Sequence, residues 1–157
     1  KGCVQAHILA LEIAKMNNWD KVLILEDDAI LNVDVSTANN SLALINDFTK
    51  NNKWDVFMLS GAFKKAVPIE GSVLKLERAS TSSAYIVNKH YYETLLNLYH
   101  ECNDNMSEHR WEKDGHESWA LDLKWDKLQK RDLWFCLEND IFKQGTHSST
   151  IMLNTNR

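Results

Sequence analysis

The stretch Lys21–Asp28, KVLILEDD, constrains this chain most. Val22, Leu23, Ile24 and Leu25 form an unbroken apolar run of strand length, the pattern of a β-strand buried on both faces. It stops at three consecutive acids, Glu26, Asp27 and Asp28. In an open α/β sheet, ligands bind beyond the carboxyl ends of the strands. A strand that empties into carboxylates there has the layout of a divalent-metal or proton-transfer site. Crowded like charges repel, and a hard cation offsets that repulsion. The plainer alternative is an acidic turn in which Asp27 or Asp28 caps the next segment.

The neighbouring patterns supply the rest of an α/β unit. Gly2 to Asn18 has helical apolar spacing through Ala6, Leu9, Ala10 and Ile13, widened by Val4, Ile8, Leu11 and Met16. Ser36 or Thr37 caps a second predicted helix to about Lys53, with Leu42, Leu44, Ile45 and Phe48 on its apolar side. Asp55–Ser60 is a second apolar strand closed by Gly61. Helix-strand-helix-strand in this order predicts parallel pairing and an α/β sandwich.

Ala62–Gly71, with the only proline, Pro68, reads as a loop. Short strands follow at Val73–Leu76 and Ala84–Val87, then a helix over Lys89–Glu101. Asn103–Glu117 reads as an exposed loop, Ser118–Gln129 as a short helix and Leu133–Leu137 as the last strand. Residues 138–157 are expected to be an irregular tail.

At 157 residues and 44% hydrophobic, the chain fits one domain with a sizeable core. Its net charge of -4 and the absence of any basic block argue against nucleic acid or an anionic membrane as partner. No apolar run reaches the roughly 18 residues of a membrane span. Cys3, Cys102 and Cys136 are far apart and lack zinc-finger spacing, so reduced thiols are expected.

Six segments, in order, resemble glycosyltransferase family 25. They are GCVQAH (Gly2–His7), LILEDDAIL (Leu23–Leu31), DVFMLSG (Asp55–Gly61), SSAYIVNKHYYETLL (Ser82–Leu96), ALDLKWDKLQ (Ala120–Gln129) and WFCLENDIFKQGTHSSTI (Trp134–Ile151). That family includes lipooligosaccharide and collagen hydroxylysine galactosyltransferases. The resemblance implies a GT-A-type fold, a mostly parallel central sheet with flanking helices. It also implies a UDP-sugar donor, Mn2+ or Mg2+, and inverting transfer of galactose or glucose to a glycan or a hydroxylysine-containing protein. The family roles so implied are lipopolysaccharide biosynthesis or collagen glycosylation. The cytoplasm of a bacterium or a viral factory is expected ahead of the endoplasmic reticulum lumen. Against the family pattern, the chain starts after the usual first strand, so a partial domain is expected. Ala6 stands where serine is usual, Glu138-Asn139 where a proline is expected, and Thr150 where an acid closes the family motif.

By the same resemblance, Asp28 makes the most direct metal contact, and Glu26 and Asp27 hold the metal, the ribose or a metal-bound water. If strand geometry continued, alternation would aim Glu26 and Asp28 to one side as a chelating pair. His147 is a late metal ligand or, in the tail, a solvent-exposed residue. Ser82, Ser83 and Tyr85 line the donor site, with a core role favoured for Tyr85, and Gln144 serves the site by resemblance alone. Inversion needs a group that takes the acceptor proton. Asp122 fills that role by motif position, with Glu117 and His116 behind it; the alternative for Asp122 is the solvated face of its helix, paired with a nearby Lys. Trp111, Trp119 and Trp125 are candidates to stack on an acceptor, with a core role favoured for Trp125. Lys64 and Lys65 either steer a diphosphate or are exposed loop lysines without a specific role, and His7 is expected to be buried and hydrogen-bonded. The alternatives are a non-catalytic or truncated relative that binds a glycan or protein, and a metal-dependent phosphohydrolase, for which no nucleophile stands out.

Overall fold

The computed structural model describes residues 2–108 and 119–145. Along the chain run α1 (Gly2–Met16), β1 (Lys21–Leu25), β2 (Ala29–Leu31), α2 (Val35–Asn51), β3 (Val56–Met58), β4 (Ala62–Glu70), β5 (Val73–Ser80) and β6 (Ala84–Asn88). A 3-10 turn at Lys89–Tyr91 leads into α3 (Tyr92–Glu108), and then come α4 (Leu121–Lys124), α5 (Asp126–Arg131), β7 (Trp134–Leu137) and β8 (Phe142–Gln144). Six strands build one mixed sheet in the order β1-β6-β3-β7-β5-β4, and β2 pairs with β8 in a separate ribbon.

The sheet carries side chains of opposite parity to its two faces. Val56 and Met58 join a core with Val4, Leu11, Leu95, Tyr99, Trp125 and Trp134, from α1, α3 and the segment of α4, α5 and β7. Phe57 and Leu59 point the other way, to Ile45 and Phe48 of α2 and to Phe135. The result is an α/β layer arrangement with helices on both faces.

The expected mostly parallel sheet is corrected. Among the described residues only β3 and β7 are parallel neighbours, and every other pairing in the sheet is antiparallel. β1 and β3 do run the same way, as the local pattern required. However, β6 arrives from far downstream and inserts between them, antiparallel to both. Strand β1 is therefore an edge strand, not one buried on both faces. Its burial alternates, with Val22 and Ile24 inside and Leu23 and Leu25 each 47% exposed.

Several element boundaries also differ from expectation. The buried stripe of α1 is Val4, His7, Ile8, Leu11 and Ala14, while Leu9 and Ile13 face outward. The stripe is rotated because polar His7 finds partners inside. Helix α2 is capped by Asp34, whose carboxylate accepts from the Thr37 amide at 2.9 Å, rather than by Ser36 or Thr37. The expected loop 62–71 contains β4, which forms a hairpin with β5 through Gly71 at φ 56. As the outer strand, β4 tolerates Pro68 because an edge position needs no amide there. Helix α3 runs through Asn103 to Glu108, beyond the expected stop, and buries Cys102. The expected single helix 118–129 is two short helices that meet at Trp125. The tail is not wholly irregular, since β8 pairs antiparallel with β2. No described helix is long and apolar enough to cross a membrane.

Candidate functional site

The acids leave β1 through a turn, not a continued strand. The Ala29 amide donates to the Glu26 carbonyl at 3.1 Å. The pairing of β1 with β6 ends at Leu25, so the alternation argument for Glu26 and Asp28 does not apply. The two carboxylates enter different hydrogen-bond sets, and Asp27 between them is exposed.

Glu26 turns toward α1. Its Oε1 accepts from the Ser82 hydroxyl at 2.5 Å, from His7 Nε2 at 2.9 Å and from the Cys3 thiol at 3.5 Å. Cys3 and His7 lie four residues apart on α1, so they share one helix face. An ionised carboxylate only accepts, so Nε2 carries the ring proton. In the neutral ring Nδ1 then accepts from the Tyr85 hydroxyl at 2.6 Å, and the Tyr85 and Tyr99 oxygens are 3.1 Å apart. His7 also stacks on Tyr85, with ring centroids 5.7 Å apart. His7 is buried and hydrogen-bonded, in the manner expected of it.

These contacts set the electrostatics. Burial alone would raise the Glu26 pKa, but bonds from His7 and Ser82 outweigh it and hold the carboxyl below its ordinary value. The Cys3 thiol is pushed up to about 12, first by partial desolvation of its sulfur and then by the Glu26 charge, although the residue as a whole is exposed. It is therefore a thiol at neutral pH, unsuited to act as a free nucleophile. A depressed carboxylate contributes stability that is present above its unfolded pKa and lost as pH falls through its folded one. Comparing thermal midpoints of wild type and Glu26→Gln, the wild-type advantage is expected to persist near neutrality and to shrink below about pH 4. A gap that stays constant with pH would remove this account.

Asp28 faces the β2–β8 ribbon. The pairing of Ala29 with Gln144 brings Gln144 Nε2 to 2.9 Å from Asp28 Oδ2, and the Gly145 amide donates to the Asp28 carbonyl at 2.7 Å. The other carboxylate oxygen, Oδ1, is buried and has no hydrogen-bond partner among the described residues. An orphaned buried carboxylate oxygen is the kind of atom a cation would satisfy. Asp28 offers one such oxygen, and the one group of three close His, Cys or acid ligand atoms among the described residues does not include it.

Asp122 sits in the first turn of α4, and its Oδ2 accepts from the Thr81 amide at 3.0 Å. Thr81 has φ 82, a left-handed conformation that costs a β-branched residue about 1–2 kcal/mol. The turn is over-determined on both sides. Trp125 Nε1 and Gln129 Nε2 both donate to the Ala79 carbonyl, and Gln129 Oε1 accepts from the Ala79 amide. Just past the strained residue, Ser82 bonds Glu26. Asp122 also lies near enough to Cys3 to raise its thiol pKa. The turn thus links Asp122 to the Glu26 set.

The other sequence candidates scatter. Ser83 is buried and bonds Ser60 at 2.8 Å, which turns its hydroxyl into the core. Tyr85 is fully buried, as is Trp125, whose ring packs edge-on against Tyr85 and Trp134. Trp119 is half-buried under the Lys124 ammonium, 3.9 Å from the ring centre. Lys64 and Lys65 are on β4, not in a loop. Lys64 pairs with Asp140 at 2.9 Å and exposed Lys65 with Glu77 at 2.8 Å. Trp111, His116, Glu117, His147 and Thr150 lie outside the described residues. The sequence reading missed Cys3, a site residue whose signal was its four-residue spacing from His7, and Thr81, whose backbone strain has no sequence signature. All three cysteines are free thiols.

No protein-family model matches the chain, and no curated protein matches it.

Proposed function

We propose that this chain is a metal-dependent inverting glycosyltransferase domain of GT-A type. It would move galactose or glucose from a UDP-sugar to a hydroxyl of a glycan or a hydroxylysine-containing protein. The observation that carries the reading is the buried, unpartnered Oδ1 of Asp28 beyond the end of β1. Leaving such a group unsatisfied costs about 1–3 kcal/mol or more, and oxygen donors at a strand end suit Mn2+ or Mg2+. Asp28 would hold the ion through Oδ1, with Gln144 steadying Oδ2. When bound, the ion neutralises charge on the departing diphosphate.

The chain's own residues would do the rest. Asp27 is exposed beside the turn and would bind the ribose hydroxyls of the donor. Asp122 is held by Thr81 through Oδ2, which leaves Oδ1 to take the acceptor proton. As the acceptor oxygen bonds to the anomeric carbon, the bond to UDP breaks and its electron pair leaves on the diphosphate. A second reading, a domain that binds a glycan or protein without turnover, is favoured by Glu26, whose Oε1 already takes three donors of the chain itself.

Calorimetry separates the two. UDP is expected to bind in the presence of Mn2+ and to be released by a chelator. A folded chain that ignores UDP with Mn2+ present rejects the transferase and leaves the binding domain.

A further inference from the structure

Cys3 Sγ, His7 Nε2 and Glu26 Oε1 all lie within 4.8 Å of one another, and they form the one such His, Cys and acid group among the described residues. In a tetrahedral site with bonds of about 2.0–2.3 Å, ligand atoms stand roughly 3.3–3.8 Å apart. The Cys3–Glu26 separation of 3.5 Å already fits, and the His7–Glu26 separation of 2.9 Å needs to open by only about 0.4 Å.

We propose that Cys3, His7 and Glu26 form a Zn2+ site with an open fourth position toward solvent. The donor set decides the metal. One sulfur, one imidazole and one carboxylate suit borderline-soft Zn2+, whereas Mn2+ and Mg2+ prefer oxygen alone. Three protein ligands with one vacant position is the pattern of zinc sites that keep a water or substrate. Cys3 is exposed, so an ion can enter from solvent.

The surroundings are those of a supported metal site. The ring nitrogen of a zinc-bound histidine that faces away from the metal is usually hydrogen-bonded, which fixes the ring's orientation. Here Nδ1 meets the Tyr85 hydroxyl at 2.6 Å, and Tyr85 is tied to Tyr99. The Ser82 hydroxyl likewise fixes the Glu26 carboxylate. Binding is balanced in protons. The Cys3 thiol gives its proton to solvent, and the His7 proton moves from Nε2 to Nδ1, where the Tyr85 oxygen accepts it. The ion then clamps the start of α1 to the end of β1. This inference is independent of the transferase reading, because it involves neither UDP nor Asp28.

The test uses the whole chain, stripped of metal and titrated with Zn2+ alone, then with Co2+ as an optical reporter. One equivalent is expected to bind, and Co2+ is expected to show thiolate charge-transfer absorption with tetrahedral ligand-field bands. Cys3→Ser should lose the charge-transfer band. Tyr85→Phe should keep the band but weaken Zn2+ about 10–100-fold, the usual cost of losing a partner behind a ligand. Asp28→Asn should titrate with Zn2+ like wild type, so failure of the UDP experiment and failure of this one are separable. Co2+ bound without thiolate absorption overturns the proposal. So does a Cys3→Ser protein that folds and binds Zn2+ as wild type does, or Zn2+ binding that disappears in Asp28→Asn.

Discussion

Asp28→Asn is expected to slow Mn2+-stimulated release of UDP from a UDP-sugar by about 1,000-fold, while moving the thermal midpoint by no more than about 2–4 °C. The activity term rests on the role proposed for the ion. Stabilising charge on a leaving diphosphate is worth several kcal/mol, and each 1.36 kcal/mol is about tenfold in rate. The small stability term follows from the local contacts. An asparagine oxygen can keep the bond from Gln144 Nε2. The neutral amide is also cheaper to bury than a carboxylate whose Oδ1 is unpartnered. Undiminished turnover in the variant would sink the role given to Asp28. A variant that no longer unfolds cooperatively would instead make Asp28 a structural residue.

The second large effect concerns stability. Trp125→Ala is expected to cost about 3–5 kcal/mol, a sizeable share of the roughly 5–15 kcal/mol that holds a domain together. The ring is fully buried between Tyr85 and Trp134. Its Nε1 donates to the Ala79 carbonyl at 2.9 Å, so truncation both opens a cavity and removes one of that carbonyl's two donors. Urea midpoints measure the loss. Trp119→Ala is the comparison, because that ring is only half-buried at the margin of the core, with a cation–π contact worth about 0.5–1 kcal/mol on its outer face. Equal midpoint shifts in the two variants would contradict the core assignment of Trp125.

Periodicity located what depends on near neighbours. It found α1, β1, β3, β6, β7 and the buried face of α3, because apolar spacing is a local property. It failed where distant chain decides. Nothing in KVLIL announces that β6 will lie beside it and leave the other edge open. Nothing in AFKKAVPIE outweighs its proline except the partner strand β5. At the site, the acid run after the apolar strand marked Glu26 and Asp28, and the family resemblance marked Ser82, Asp122 and Gln144, one at a time. Their division into two hydrogen-bond sets arises from the turn after Leu25 and from the β2–β8 pairing, both of them tertiary facts. The Cys3 and His7 pair was readable as spacing, yet its meaning depended on Glu26 arriving from another element.

The order of strands has a consequence for how the molecule comes to exist. Strand β7 is the sheet's keystone, with β3 on one side and β5 on the other, yet it follows both of them, and β1, β4 and β6 as well, along the chain. Until Trp134–Leu137 emerges from the ribosome, β1-β6-β3 and β5-β4 are two rafts with raw facing edges, and long-range closures of this kind are slow and prone to mispairing. A nascent chain of this protein therefore cannot close its central sheet before that strand is made.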